Sequence, residues 1–216
     1  MVLGGTGMVG GELIGLLLRD PGFARVVAPA RRLVTAPAGF SAEQRDRLDA
    51  RVVDFDRLDG QADAFNGVTH IFCALGTTIR LAGSQEKFRR VDHDYPVAAA
   101  RLGLQLGAVH YLLVSALGAD AGSRVFYNRV KGETERDVCA VGYPAVTIVR
   151  PSLLLGERED FRLGEQVAKW FAWLTPARLA PVHARDVGAA LVASANEKKS
   201  GTLVIESAAI PRRNLR

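Results

Sequence analysis

MVLGGTGMVGG, residues 1–11, decides the fold. A short apolar run, Met1 to Leu3, enters closely spaced glycines. The chain then continues into Gly11 to Arg19, which is apolar at helical spacing through Leu13, Ile14, Leu16 and Leu17. Within it, GGTGMVG satisfies G-x-G-x-x-G through Gly5, Gly7 and Gly10, and G-x-x-G-x-x-G through Gly4, Gly7 and Gly10. In a strand–turn–helix, Gly4 permits the tight turn, Gly7 lets the backbone approach a pyrophosphate, and Gly10 lets the helix pack closely. The N–H groups and the positive helix end would then hold the phosphates, with Thr6, Met8 and Val9 in the same turn. The bland alternative is a glycine-rich turn without a ligand. The first strand has three residues before its glycines, and two accounts stay open: residues lost at its start, or a strand that is simply short.

Outward from this turn, short apolar runs alternate with helical patterns. Strands are expected at Arg25–Ala28, Arg51–Phe55, His70–Leu75, His110–Ser115, Ala145–Val149 and Thr202–Ile205. Helical spacing covers Val91–Leu106 (Val91, Tyr95, Ala98, Ala99 and Leu102 on one face), Val125–Ala140, Gln166–Leu174 and Val187–Ala195. Strands alternating with helices imply parallel strands joined by crossovers, and continuously apolar strands imply helices on both faces. The expected fold class is α/β: a Rossmann-type doubly wound parallel sheet, one NAD(P)-binding domain over residues 1–216, with a small C-terminal extension on the substrate side. Its ligand should lie beyond the carboxyl ends of the strands, where strand order reverses.

Composition agrees. The 216 residues are 48% hydrophobic and 24% charged, enough for one full core. The longest apolar runs, such as Leu16–Leu18 and Leu153–Leu155, are too short to span a bilayer, and MVLGGTG lacks the basic and apolar regions of a signal peptide. Cys73 and Cys139 give neither a disulfide framework nor metal-ligand spacing, and His70, His93, His110 and His183 are scattered; no metal is expected, and a reduced cytoplasm is the expected location. The net charge of +5 comes from arginines interleaved with Asp and Glu, which argues for a solvated surface over a nucleic-acid face. A homodimer is the default assembly.

The second strand bears on the cofactor. VVAPARR ends at Arg31 and Arg32, where an NAD-binding chain would carry a carboxylate for the ribose hydroxyls. Two guanidinium groups suit the extra phosphate of NADP, so NADP(H) is expected over NAD(H). The alternative is that both arginines merely solvate a loop. Asp54 and Phe55, ending the third strand, would sit near the adenine; alternatively Phe55 is core.

Further along stand CALGTT (Cys73–Thr78), VSALGA (Val114–Ala119), FYNRVKGE (Phe126–Glu133) and RPSLLLG (Arg150–Gly156), with a VD-x-DY segment between the first two. With the glycine turn, this ordered set resembles the short-chain dehydrogenases/reductases. More narrowly, it is similar to the atypical branch of Tat-interacting-protein-like oxidoreductases and their NAD-dependent epimerase/dehydratase-like bacterial relatives. The resemblance covers essentially the whole chain. It implies Tyr127 as general acid/base, Lys131 as its tuning charge and ribose ligand, and a strand-end serine that orients the substrate carbonyl. Lys131 at i+4 shares a helical face with Tyr127, and a free tyrosine, with a pKa near 10, needs such a cation to work at neutral pH. Ser115 is the serine candidate and Ser123 its rival, whose structural role would be helix capping; many relatives carry a second serine where this chain has Ala116. The resemblance also places Leu75, Gly76, Thr77 and Thr78, after the fourth strand, and Pro151 and Ser152, after the sixth, against the cofactor.

Other residues have plainer readings. Asp186 is expected to cap a helix starting at Val187, His183 to be structural, and Trp170 and Trp173 to pack a core or dimer face, or to wall a substrate pocket. Three functions compete. One is an NADP(H)-dependent oxidoreductase acting on a small carbonyl or alcohol. The second is a non-catalytic NADP(H)-binding redox sensor with protein partners, which the intact Tyr/Lys pair disfavours. The third, a nucleotide-sugar epimerase or dehydratase, is disfavoured by the few residues after the sixth strand.

Overall fold

Every strand pairing among the described residues is parallel. The computed structural model describes residues 1–155, 180–197 and 199–212. Strands β1 (Val2–Leu3), β4 (His70–Cys73), β5 (His110–Val114), β6 (Ala145–Arg150) and β9 (Gly201–Glu206) form one sheet in the order β1-β4-β5-β6-β9. Strands β2 (Val26–Ala30) and β3 (Leu48–Val52) pair with each other, and β2 lies beside β1. All these pairings are parallel. The chain therefore builds outward from β1 through β2 to β3, then returns to the other side of β1 at β4. The strand order reverses between β1 and β4, and the crevice that opens there is where such sheets bind ligands. A short parallel ladder, β7 (Leu154–Leu155) with β8 (Val182–His183), brings together the segments after β6 and before the last helix.

Successive residues of a strand point to opposite faces, and here each face meets helices. Leu3, Ile71, Cys73, Tyr111, Leu113, Val146 and Ile148 enter one buried cluster, with α5 (Tyr95–Gln105) and α6 (Phe126–Ala140). Val2, Phe72, Leu112, Val114 and Val149 enter the other, with α1 (Met8–Arg19) and α7 (Ala184–Asn196). This two-sided burial is why β4, β5 and β6 read as unbroken apolar runs. Strand β9, at the sheet edge, is largely exposed.

Three sequence expectations need correction. The third strand is Leu48–Val52, not Arg51–Phe55: its edge position tolerates Asp49 and Arg51, which pair with each other at 2.8 Å, while Phe55 begins a 3-10 helix over Phe55–Phe65. Asp54 therefore ends no strand. It is exposed and caps that 3-10 helix, accepting the Asp56 N–H at 3.0 Å. Likewise α7 starts at Ala184 with His183 at its cap position, so Asp186 lies within the first turn, buried, where its charge faces the positive end of the helix. The expected helix Gln166–Leu174, with Trp170 and Trp173, and the C-terminal extension around it lie outside the described residues.

Candidate active site

The glycine turn is held by backbone contacts that leave no room for side chains. Gly7 N–H donates to Gly4 O at 2.8 Å, closing the turn, and α1 begins at Met8 with no side chain capping its first N–H groups. Gly4 has φ +83, and a Cβ there would lie 2.5 Å from the carbonyl oxygen of Ala74, the residue after β4. A Cβ on Gly10 would lie 2.1 Å from Gly4 O. The loops after β1 and β4 thus touch backbone to backbone at the switch point. The open N-terminus of α1 fits a phosphate group.

A cleft runs along this junction in two connected parts. The first, about 290 Å³, has Arg31, Arg32, Gly4, Thr6, Phe55 and Tyr95 in its walls. The second, about 420 Å³, is walled by Met8, Val9, Thr78, Ser115, Tyr127, Lys131 and Ser152, with apolar Leu153, Leu154 and Val114. Gly7, Leu75, Gly76 and Thr77 line both. The two arginines and the Ser/Tyr/Lys group thus occupy opposite ends of one trough with the glycine turn between them. Arg31 and Arg32 are exposed and form no ion pair among the described residues. Phe55 is core, as its plainer reading had it, and it also lines the cleft wall, its ring 5.5 Å from that of Tyr95.

Some expected residues are elsewhere. Gly10 lies behind the turn and does not line the cleft; neither does Asp54, whose carboxylate is committed to its cap. Pro151 accepts Leu117 N–H at 2.8 Å through its carbonyl and is outside the lining too. Ser123 accepts Val125 N–H at 3.2 Å in the turn before α6 and is absent from the walls; the expected capping role is not its own, since α6 has Val125 at its cap position and no side-chain cap. Thr78 lines the cleft, but its hydroxyl caps α3 (Ile79–Ala82), accepting Leu81 N–H at 3.2 Å. Ser152 donates to Ala180 O at 2.7 Å.

Ser115, just past β5, is 5% exposed, and its Oγ finds no hydrogen-bond partner among the described residues. A buried hydroxyl without a partner costs stability unless a ligand completes it. Tyr127 and Lys131 lie on one face of α6; Tyr127 is half-buried, its ring 5.5 Å from Phe88. Lys131 is 6% exposed, and its ammonium faces Asp92 Oδ1 at 2.8 Å. Burial opposes the charge on Lys131, but Asp92, and then Tyr127, outweigh it and raise its pKa.

Asp92 is the residue that sequence reasoning missed. It is 1% exposed, and its Oδ2 accepts Thr77 N–H at 2.9 Å. Burial pushes its carboxyl above the usual range, partly offset by Lys131 and the Thr77 N–H. It lies on a π-helical turn, Arg90–Asp94, inserted between α4 (Gln85–Arg89) and α5. Pro96 has no N–H to give the Asp92 carbonyl, which accepts the Thr134 hydroxyl instead at 2.9 Å. The wider turn rotates Asp92 and His93 inward. The available signal was the proline inside an otherwise helical pattern.

No family model matches the chain. Protein HTATIP2 of Rattus norvegicus is 38% identical over 170 residues, covering 79% of this chain and 68% of that one. Mitochondrial protein FMP52 of Eremothecium gossypii is 34% identical over 224 residues, covering 97% and 94%. The chain belongs to the HTATIP2/FMP52 family. The sequence resemblance to the Tat-interacting-protein-like branch thus holds. Among solved structures, MoeE5 in complex with UDP-glucose and NAD superposes with a TM-score of 0.72 at 19% identity, covering 94% of this chain and 73% of that one. UDP-glucose 4-epimerase of Thermotoga maritima gives 0.71 at 14% identity, covering 95% and 75%. At such identities the HTATIP2/FMP52-family chain shares their Rossmann fold. One expectation fails here: the fungal relatives are named mitochondrial, which overturns the cytoplasmic assignment drawn from cysteine usage. No helix among the described residues is long and apolar enough to cross a membrane.

Proposed function

We propose that this HTATIP2/FMP52-family protein is an NADP(H)-dependent oxidoreductase that interconverts a small carbonyl and its alcohol. One observation carries the proposal: a single cleft has two exposed arginines, unpaired among the described residues, at one end, the α1 N-terminus, which has no side-chain cap, in the middle, and Ser115, Tyr127 and Lys131 at the other. The spacing of these features fits a dinucleotide with a 2′-phosphate on Arg31 and Arg32, its pyrophosphate at the glycine turn, and its nicotinamide beside Tyr127. When bound, the dinucleotide would supply or accept the hydride.

The chain's own groups do the rest. Ser115 Oγ, buried and unpartnered, donates to the substrate oxygen and fixes its orientation. In the reducing direction Tyr127 gives its phenolic proton to that oxygen, and in the oxidising direction it takes the proton back. The Lys131 ammonium favours the phenolate left behind. Apolar walls from Met8, Val9, Leu81, Leu153 and Leu154 exclude water and favour an apolar substrate.

The test is NADPH oxidation against a panel of aldehydes and ketones. Turnover by the wild type, reduced by about 10²-fold to 10⁴-fold in Tyr127→Phe, supports the proposal. Tight NADPH binding without turnover of any panel member would favour the second reading, a redox sensor that uses the same cleft.

A further inference from the structure

The Asp92–Lys131 pair is more than a surface ion pair. The side chains are 0% and 8% exposed, and their charged atoms are 2.8 Å apart. Three elements meet there. Asp92 comes from the π turn, Lys131 from α6, and Thr77, whose N–H donates to the other carboxylate oxygen, from the loop after β4. That loop lines both halves of the cleft. Gly76, its neighbour, is so close that a Cβ there would lie 3.4 Å from Asp92 Oδ1 and 3.7 Å from Lys131 Nζ. Asp92 itself is fixed twice over, through its carboxylate and through its carbonyl, which accepts from Thr134 on α6.

We propose that Asp92 is a positioning residue of this site: its carboxylate is the counter-ion of Lys131 and tethers that lysine to the Gly76–Thr77 cleft loop. The functional weight of the tether rests on the oxidoreductase reading; the tether itself does not. A buried ammonium without a counter-ion loses its proton readily, because burial penalises the charged form. Lys131 would then have no positive charge with which to favour the Tyr127 phenolate. The carboxylate also sets where the ammonium sits. It draws Nζ toward the loop on which a dinucleotide would rest, and holds that loop by the Thr77 N–H. The titratable groups facing Lys131 are Asp92 from the π turn, Tyr127 from α6 and Cys73 from β4. Of these, Asp92 is the one in ion-pair contact, at 2.8 Å, and burial pushes the Cys73 thiol up.

The experiment is a pH titration of the Cε signals of ¹³C-lysine-labelled protein, without dinucleotide. The chain has five lysines, Lys87, Lys131, Lys169, Lys198 and Lys199, and Lys131→Met assigns the relevant signal by its loss. In the wild type Lys131 should stay charged through the range in which exposed lysines titrate. In Asp92→Asn, which keeps the shape and removes the charge, its midpoint should fall by one unit or more, below that of the exposed lysines. An unmoved Lys131 midpoint in a folded Asp92→Asn protein overturns the proposal. If that variant does not fold, the wild type still decides: a Lys131 midpoint at or below that of Lys87 overturns it. A normal NADPH titration alongside a failed lysine result would sink the tether alone. An intact tether with no dinucleotide binding would sink the oxidoreductase reading alone.

Discussion

Ser115 has the one cleft hydroxyl, among the described residues, that is buried without a partner, and that makes it the sharpest single-residue test. Ser115→Ala should lower kcat/KM for carbonyl reduction by about 10-fold to 10³-fold, the usual cost of one donor to a developing oxyanion. NADPH affinity should stay near wild type and thermal stability should not fall, because no hydrogen bond among the described residues depends on that hydroxyl. Equal activity in the variant would give the orienting role to another group. Sequence could narrow the serine to two, since both Ser115 and Ser123 precede Tyr127. Only the fold separates them: one faces the cleft, the other accepts Val125 N–H. Asp92 was missed because hydrophobic spacing hid it, and only Pro96 signalled the break in the helix. Its segment matches an α-helix, and the rotation that buries it comes from a π turn that hydrophobic spacing does not encode.

At the scale of elements, the strand–turn–helix around GGTGMVG was legible because glycine is required by geometry. Gly10→Ala puts a methyl 2.1 Å from Gly4 O, a backbone atom that cannot swing aside. That variant should lose about 3 kcal/mol or more in chemical denaturation, and its dinucleotide affinity should fall with the distorted turn. Near wild-type behaviour would mean the turn is far softer than its contacts indicate. Helix α6 was legible too, to within one residue of Phe126–Ala140. Strand β3 was not, because an edge strand that alternates charged residues gives less signal than the apolar Val52, Val53 and Phe55 at and just past its end, of which Val53 and Phe55 are buried. The shift has a consequence for Asp54. Asp54→Ala should cost about 1 kcal/mol as a lost cap and leave dinucleotide affinity unchanged. A large loss of affinity in that variant would restore the adenine contact first expected of it.

For the whole molecule, the parallel sheet was readable because burial on both faces makes its central strands continuously apolar. The far end of the same sheet also sets a pH limit. His110, 4% exposed, donates to or accepts from Thr147 Oγ1 at 3.0 Å, and its ring lies tilted 5.6 Å from that of His70. Burial, then the charge of His70, lowers the His110 pKa to about 4, against about 6.5 in an unfolded chain. Between these values the unfolded state binds the extra proton. The contribution is therefore complete above about pH 6.5 and is lost as pH falls toward 4. Thermal melts should show Tm dropping across that window, with a shallower slope in His110→Gln; an identical slope would remove His110 as the cause.

Dinucleotide choice draws on every scale at once, since Arg31 and Arg32 follow β2, the glycine turn follows β1, and the sheet sets their separation. The most direct measurement is the dissociation constants of NADPH and NADH for the wild type and for Arg31→Ala/Arg32→Ala. NADPH should bind the wild type at least about 10-fold more tightly than NADH, as expected for a phosphate held by two guanidinium groups, and the double variant should lose that preference while its NADH affinity stays unchanged. NADH binding more tightly than NADPH, or neither binding below millimolar, would contradict it.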